Sequence, residues 1–437
     1  MKLSQYNLVQ KIENNTVIYN TLSAGILVLN KEYSEKYNTL SQTNNFENLD
    51  EELKNALNKG KMILADEIDE LELVQAHNNL QRFDENNLAL TIAPTLACNF
   101  QCPYCYERGR DYHTMNEDIT AATISYINEH AKNTDNLSIM WYGGEPLLAV
   151  DVIENITKGI ENKANLHYRA GIVTNGYLLN KAMALKLKHL NITEAQITID
   201  GPPEIHNKRR KLPNGEDTFF TIFKNIAEVC DLLSITIRVN VDKENINNIE
   251  EILDYLDKYA LNGKVGFYLA PVDNINGTCN VSTCFNSKEF SKEQMNFMKK
   301  NFKRGYVTVN IPHYTPGICC AISKTNIIID PLGDIYKCWN EIGDHNSKVG
   351  NIKEGISLNS NYMQWINYDF LTDTKCKKCK LLPICLGGCP YKYIKTGKRE
   401  CHPMKYKIKE LVELKYKLTH KENSFSNEVR NEKNIFI

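Results

Sequence analysis

Three absences narrow the field before any motif is read. No run approaches the ~18 apolar residues of a membrane span, and Met1-Lys2-Leu3-Ser4-Gln5-Tyr6-Asn7 lacks the apolar stretch of a secretory signal. Neither charge sign is in excess: 52 Lys and Arg face 53 Asp and Glu, a formal net charge of -1. Such a chain has no overall field to draw it to nucleic acid or an acidic membrane, and no stripe of basic residues offers a local one. Cysteine is missing from residues 1 to about 85 and abundant afterwards, 14 in a chain of 437. Secreted disulfide scaffolds are short. The expectation is a cytoplasmic, multidomain protein, 42% apolar and so able to build a large core, whose thiols bind metal.

The densest thiols lie in Cys98-Asn99-Phe100-Gln101-Cys102-Pro103-Tyr104-Cys105, directly after the apolar run Leu88 to Leu96. Three thiolates on a loop fed by a strand suit an iron–sulfur cluster. A cube held by three ligands keeps one iron open to a small molecule. A zinc knuckle or a few buried thiols are the competing readings of the spacing alone.

Around this loop the chain has a readable order. Tyr6 to Ile12 and Thr16 to Tyr19 read as strands around a turn, Ala24 to Leu29 continues as an apolar segment, and short helices are expected at 46–59 and 67–80. From Leu88 strands alternate with helices. The strands are Leu88–Pro94, Leu137–Tyr142, His167–Val173, Glu194–Ile199, Ile235–Val241 and Lys264–Pro271. Helical runs lie near 117–132, 151–164, 180–190, 218–231 and 246–260. This predicts an α/β fold, a partial (β/α)6 barrel of parallel strands with right-handed crossovers. Chemistry in such barrels gathers in the loops after the strands. Here those loops carry the cysteines, Gly143-Gly144-Glu145-Pro146, Thr174-Asn175-Gly176 and Asp200-Gly201-Pro202, while Arg238 and Asn240 lie on the fifth strand.

On these residues the chain resembles the radical S-adenosylmethionine superfamily. The loop 98–105 resembles its cluster motif, and Gly143-Gly144-Glu145 resembles the motif that receives the methionine amino group. The resemblance implies that Cys98, Cys102 and Cys105 hold three irons of a 4Fe-4S cluster, and that adenosylmethionine chelates the fourth. One electron from the cluster would then release a 5′-deoxyadenosyl radical, which takes a hydrogen from an unactivated carbon. It also implies that Thr198 and Arg210 contact the methionine carboxylate or the ribose, that Asn175 and Asn240 reach the ribose, and that Leu269 packs on the adenine. Tyr104 joins them as a cofactor contact. His206 reads as a local hydrogen-bonding residue, not a base, and Cys230, in an apolar helical run, as core.

A second cysteine field spans 319–401. Cys319 and Cys320 precede Gly333-x4-Cys338, and Cys376-x2-Cys379-x5-Cys385-x3-Cys389 is followed by Cys401. It resembles the SPASM extension, which carries two auxiliary iron–sulfur clusters; a zinc ribbon is the alternative for 376–389 alone. The family pattern implies that Cys376, Cys379, Cys385 and Cys401 hold the second auxiliary cluster. Cys389 would join Cys338 and Cys319 or Cys320 at the first. The adjacency of Cys319 and Cys320 departs from that pattern. The fourth ligand there is left open among Cys319, Cys320, Cys279, Cys284 and none.

The expected layout is a docking module at 1–85, a barrel at 86–300, an auxiliary-cluster domain at 301–418 and a loose tail at 419–437. The first segment loosely resembles the winged-helix-like element that binds leader peptides by adding a strand to a sheet. The function implied is maturation of a ribosomally made precursor peptide, through a thioether or other crosslink or an epimerised residue. Flavodoxin or ferredoxin would be the one-electron reductant, and neither nucleic acid nor membrane a partner. The alternative is an anaerobic sulfatase-maturing enzyme, which makes formylglycine. That family places an aspartate directly after the cysteine of Gly-x4-Cys, where this chain has Trp339. A cluster-bearing electron carrier would need neither Gly143-Gly144-Glu145 nor Arg210. No residue stands out as a general base.

Overall fold

Apolar runs in the middle of the chain form strands covered on both faces, and the amphipathic stretches between them form the covering helices. The computed structural model describes all residues except 48, 108, 162–165, 276, 278–281, 318, 423–434 and 437, with backbone alone at 420–422 and 435–436. The chain divides into two units, one of residues 1–82, 309–319 and 369–437, the other of residues 83–308 and 320–368. This grouping differs from four consecutive segments: the stretch 301–418 is shared between the two units.

In the first unit β1 (Asn7–Ile12), β2 (Asn15–Asn20) and β3 (Ile26–Leu29) form an antiparallel meander with β2 in the middle. The helices α1 (Lys31–Thr43), α2 (Glu51–Lys59) and α3 (Glu70–Arg82) follow. Helix α1 was not expected. Its signal is the Asn30 side chain, which accepts from the Tyr33 N–H, followed by Tyr33, Tyr37 and Leu40 on one buried face. Alternation along β2 serves two cores. Ile18 packs with Leu53 and Leu57 of α2, whereas Val17 and Tyr19 pack with Leu381, Ile384, Ile408 and Val412. A one-residue slip of β2 would exchange the two sets, so its register is strongly specified. The last helix, Met404–Glu422, runs past Leu418, where its end was expected. Within the expected tail, Ile435–Phe436 pairs antiparallel with β3.

The second unit holds β4 (Asn87–Thr95), β5 (Asn136–Gly143), β6 (His167–Thr174), β7 (Ile192–Thr198), β8 (Ser234–Val241) and β9 (Val265–Pro271). All five neighbouring pairs are parallel, in the order β9-β8-β7-β6-β5-β4. Between and after them come α4 (Glu117–His130), α5 (Val150–Gly159), α6 (Lys181–His189), α7 (Pro203–Arg209), α8 (Phe219–Val229), α9 (Glu250–Lys258) and α10 (Ser287–Asn301). This is the expected (β/α)6 arrangement. Helix α5 stops at Gly159, short of the expected 164, and residues 162–165 lie outside the described ones. Cys230 caps the end of α8 and is half-buried, not core, because the helix has reached its rim there.

A further strand was missed. β10 (Asn326–Ile329) pairs in parallel with β4, Asn326 opposite Ala89, and β11 (Asp334–Tyr336) pairs antiparallel with β10. The hairpin turn is organised by Asp330, 1% exposed, whose carboxylate accepts from the Leu332 and Asp334 N–H groups, each at 2.9 Å, and from the Tyr336 hydroxyl at 3.1 Å. Burial is the main force pushing its carboxyl up, to about 6. A raised carboxyl favours the fold in its protonated form. That contribution is complete below the unfolded value near 4 and is lost as pH rises through about 6. Urea unfolding near pH 4 and near pH 7 should therefore include a contribution from Asp330 that declines over that window by at most about 3 kcal/mol. In Asp330→Asn this decline should flatten; an unchanged slope would refute the assignment.

Candidate active site

The cysteine loop leaves β4 at Thr95 and is pinned at three points. The Asn175 side chain donates from Nδ2 to Asn99 Oδ1 at 2.7 Å, and the Gln101 N–H donates to the Lys211 carbonyl at 3.1 Å. The Tyr104 hydroxyl donates to Asp200 Oδ2 and accepts from Arg210 Nη1 at 2.9 Å. Cys98, Cys102 and Cys105 lie close enough to feel one another electrostatically. Burial raises all three thiols, Cys98 to about 12 and Cys105 to about 11. Without a cation the loop is thus a set of neutral thiols, and metal binding would release their protons.

Beneath the loop lies Gly143-Gly144-Glu145. Gly143 sits at φ 110°, and a Cβ on it would meet the Thr95 carbonyl oxygen at 2.3 Å. A Cβ on Gly144 would meet the Ala97 carbonyl oxygen at 2.3 Å and that of Leu96 at 2.5 Å. The two glycines let the end of β5 run against the chain that enters the loop, where Glu145 N–H donates to the Ala97 carbonyl at 2.9 Å. The Glu145 carboxylate is fully buried. Its Oε1 accepts from Leu147 N–H at 3.1 Å and from the Thr174 hydroxyl at 2.7 Å, and its Oε2 accepts from Asn175 N–H at 2.7 Å. Glu145 therefore braces the ends of β5 and β6 as well as standing at the motif position.

Beside the loop runs a buried ionic network. Arg209 donates from Nη1 to Asp242 at 2.8 Å and from Nε to Asp200 Oδ2 at 3.4 Å, with its guanidinium 4.9 Å from the Tyr104 ring centre. Arg210 lies 5.6 Å from the Phe100 ring centre, and its Nε is buried without a partner. Thr198, at the end of β7, is buried. His206 is fully buried, accepts from Asp200 N–H at 3.3 Å and contacts the Thr218 hydroxyl at 3.2 Å. Burial, then Arg210 and Arg209, hold its imidazole neutral; it is the structural hydrogen-bonder expected. Asn240 accepts from Arg238 Nε at 2.8 Å, and Leu269 is buried on β9 opposite Val239. Asn99, Thr174, Asp200, Arg209 and Asp242 were missed as site residues. Asp200 reads as part of an Asp-Gly turn, and nothing local ties Arg209 to Asp242, 33 residues on.

The strands' concave face encloses a cavity of about 280 Å³ lined by Met140, Arg169, Glu194, Cys320, Lys337 and Trp339 among others. Trp339 meets the Tyr142 ring edge-on at 4.9 Å, and the Tyr142 and Tyr106 hydroxyls bond to each other.

In the first unit, Cys376 feels the charges of Cys385 and Cys379, and Cys385 those of Cys379 and Cys401, so these four thiols form one neighbourhood. Gly388, at φ 83°, lies where a Cβ would meet the Glu400 carbonyl oxygen at 2.2 Å, so the segment carrying Cys401 runs close to that carrying Cys385. Lys405 Nζ donates to Cys401 Sγ at 3.2 Å. Cys319 and Cys389 belong to this unit, Cys320, Cys338 and Cys284 to the other, and Cys279 lies outside the described residues. Among the described residues no three Cys, His, Asp or Glu converge on a point for a single ion. A zinc site needs thiolates about 2.3 Å from one ion. Four neighbouring thiols with cysteine as every donor suit an iron–sulfur cluster, whose usual ligand is cysteine sulfur. The buried, unpartnered Nε of Arg210 likewise fits the carboxylate of adenosylmethionine, which its fork could receive.

Residues 92–256 match the radical SAM superfamily. The chain is 23% identical to the radical SAM cyclopropyl synthase TigE of Paramaledivibacter caminithermalis, over 94% of this chain and 95% of that protein. It is 27% identical to the cysteine-type anaerobic sulfatase-maturating enzyme of Clostridium perfringens, over 69% and 88%. Among solved structures, anSMEcpe with bound AdoMet and Cp18Cys peptide superposes with a TM-score of 0.62 at 20% identity, covering 76% of this chain and 99% of that one. Streptococcus suis SuiB bound to precursor peptide SuiA gives 0.54 at 16%, covering 92% and 98%. At these identities the structural likeness is one of fold.

Replacing Gly144 by Ala should push the end of β5 off Ala97 and cost at least ~2 kcal/mol, with loss of iron from the loop on reconstitution. A variant with wild-type thermal midpoint and iron content would show the close approach to be dispensable.

Proposed function

Because the chain belongs to the radical S-adenosylmethionine superfamily and is an enzyme that uses that cofactor, we propose that it is a maturase acting on a ribosomally made precursor peptide. Bound at Cys98, Cys102 and Cys105, a 4Fe-4S cluster would supply the electron that turns adenosylmethionine into a hydrogen-abstracting 5′-deoxyadenosyl species. The chain's own residues hold and orient. Arg210 would take the methionine carboxylate, Gly143-Gly144-Glu145 the amino group, and Thr198, Asn175 and Asn240 the ribose, with Leu269 and Tyr104 against the remaining faces. The open cavity bounded by Trp339 and Met140 would admit the substrate side chain. Cys376, Cys379, Cys385 and Cys401 would hold one auxiliary cluster. The reduced electron carrier is expected to be a flavodoxin or ferredoxin.

The observation that carries the peptide reading is the four-stranded sheet of the first unit, in which β1 is an edge strand with Val9 exposed at 37%. A leader segment could extend such an edge by main-chain pairing. The match to TigE spans nearly the whole of both chains, and both SuiB and anSMEcpe have been solved with peptides bound. Sulfatase maturation is the second reading, favoured by the 27% identity to that enzyme. Trp339, at the position of that family's aspartate, weighs against it.

Co-expression with short peptides encoded beside the gene, read by mass spectrometry, tests the substrate class. Each crosslink removes two hydrogens, epimerisation leaves the mass unchanged, and conversion of only a sulfatase-derived Cys peptide would favour the second reading. Cys98→Ala should abolish 5′-deoxyadenosine formation from adenosylmethionine; wild-type yields would sink the cluster assignment. Residues 1–82 share a core with 369–437, so a surface change probes docking better than a deletion. Val9→Asp should weaken a leader-bearing peptide by roughly tenfold and leave its core segment unaffected. Equal losses for both peptides, or none, would remove the docking role.

A further inference from the structure

The Tyr104 hydroxyl joins two sites. Tyr104 stands between Cys102 and Cys105 on the loop, and its oxygen is shared by the Asp200 carboxylate and the Arg210 guanidinium. The phenol donates its hydrogen to Asp200 Oδ2 and accepts from Arg210. Arg210 spends Nη1 on Tyr104 and keeps Nε, buried and unpartnered, for another acceptor. Asp200 is 0% exposed; beyond Oδ2 its main chain is fixed too, with the carbonyl accepting from Asn245 Nδ2 at 2.7 Å. Behind it Arg209 bridges to Asp242, so the carboxylate cannot swing without breaking a buried ion pair.

We infer that Asp200 is a positioning residue that, through the Tyr104 hydroxyl, couples occupancy of Arg210 by the cofactor's carboxylate to the geometry of the cluster loop. The inference rests on the adenosylmethionine site proposed above. With Oδ2 held from one side by Arg209, Asp200 fixes the phenol, and the phenol fixes the plane of the Arg210 fork. The Nε edge is then presented in one orientation. A carboxylate arriving there polarises Arg210, and the change is felt by a hydroxyl whose residue is flanked on the loop by two thiolate ligands. Neither Asp200 nor Tyr104 needs to touch the reacting carbon.

The test uses the full chain reconstituted with iron and sulfide, as wild type, Tyr104→Phe and Asp200→Asn. Three readings are taken: iron per chain, adenosylmethionine affinity by equilibrium dialysis, and the EPR spectrum of the reduced cluster before and after adding adenosylmethionine. Tyr104→Phe keeps the ring and loses only the hydroxyl. It should retain wild-type iron, bind adenosylmethionine roughly tenfold more weakly, and show a smaller shift in the EPR spectrum even at saturation. Asp200→Asn should change in the same direction; if it fails to fold, Tyr104→Phe decides alone. Wild-type affinity and EPR shift in Tyr104→Phe would overturn the inference. So would loss of iron at unchanged secondary structure, which would make the phenol a support of the cluster and not a relay. If the wild type itself shows no EPR response, the adenosylmethionine site has failed, a result separate from either.

Discussion

A single buried carboxylate holds the rim together. Glu145 is fully removed from water, where an unpaired charge costs several kcal/mol, and it persists because Leu147, Thr174 and Asn175 supply three donors. Those donors come from the ends of two adjacent strands, so satisfying the charge locks β5 to β6 at the level where the cysteine loop begins. Asn175 carries the constraint onward, since its main chain feeds Glu145 and its side chain holds Asn99. Gly143 and Gly144 add the complementary requirement, an approach too close for any Cβ. Charge satisfaction and backbone contact together decide where three thiols stand.

The same low-polarity surroundings set the proton inventory. The His206 ring is held neutral, and the Tyr104 hydroxyl donates to Asp200. Beside Glu145, Arg209 stays buried in contact with Asp200 and Asp242. Within this network Arg210 keeps the Nε edge of its guanidinium for an anion. That is the economy of a protein that positions a cofactor and leaves the reaction to it.

Much of this was legible beforehand, and the reasons differ by element. Six strands of the barrel were found because apolar or alternating stretches with β-branched residues recur between helical ones at regular spacing. The four-residue strand β10 and the helix α1, whose apolar positions are mostly tyrosines, fell outside that pattern. The cysteine loop and Gly143-Gly144-Glu145 are contiguous motifs and could be read directly. Asp200, Arg209 and Asp242 could not, since their meaning lies in contacts between β7, α7 and the end of β8 that no local spacing encodes. The grouping of 369–437 with the first unit was equally invisible: it rests on Leu381, Ile384, Ile408 and Val412, apolar residues whose partner face on β2 is more than 350 positions away.

The parallel pairing of β10 with β4 changes where this chain can be divided. Residues 86–300 look self-sufficient in sequence, yet β4 is not the end of its sheet: Asn326 to Ile329 complete its hydrogen bonding on the far side. A chain ending near residue 300 would leave Ala89 to Ile92 of β4 as a bare edge beside the cysteine loop, and such edges recruit other edges. Modular as it looks, the barrel sheet is continued by the hairpin that leads into Cys338. Transplanting the catalytic half onto another C-terminal extension would therefore have to carry residues 320–368 along.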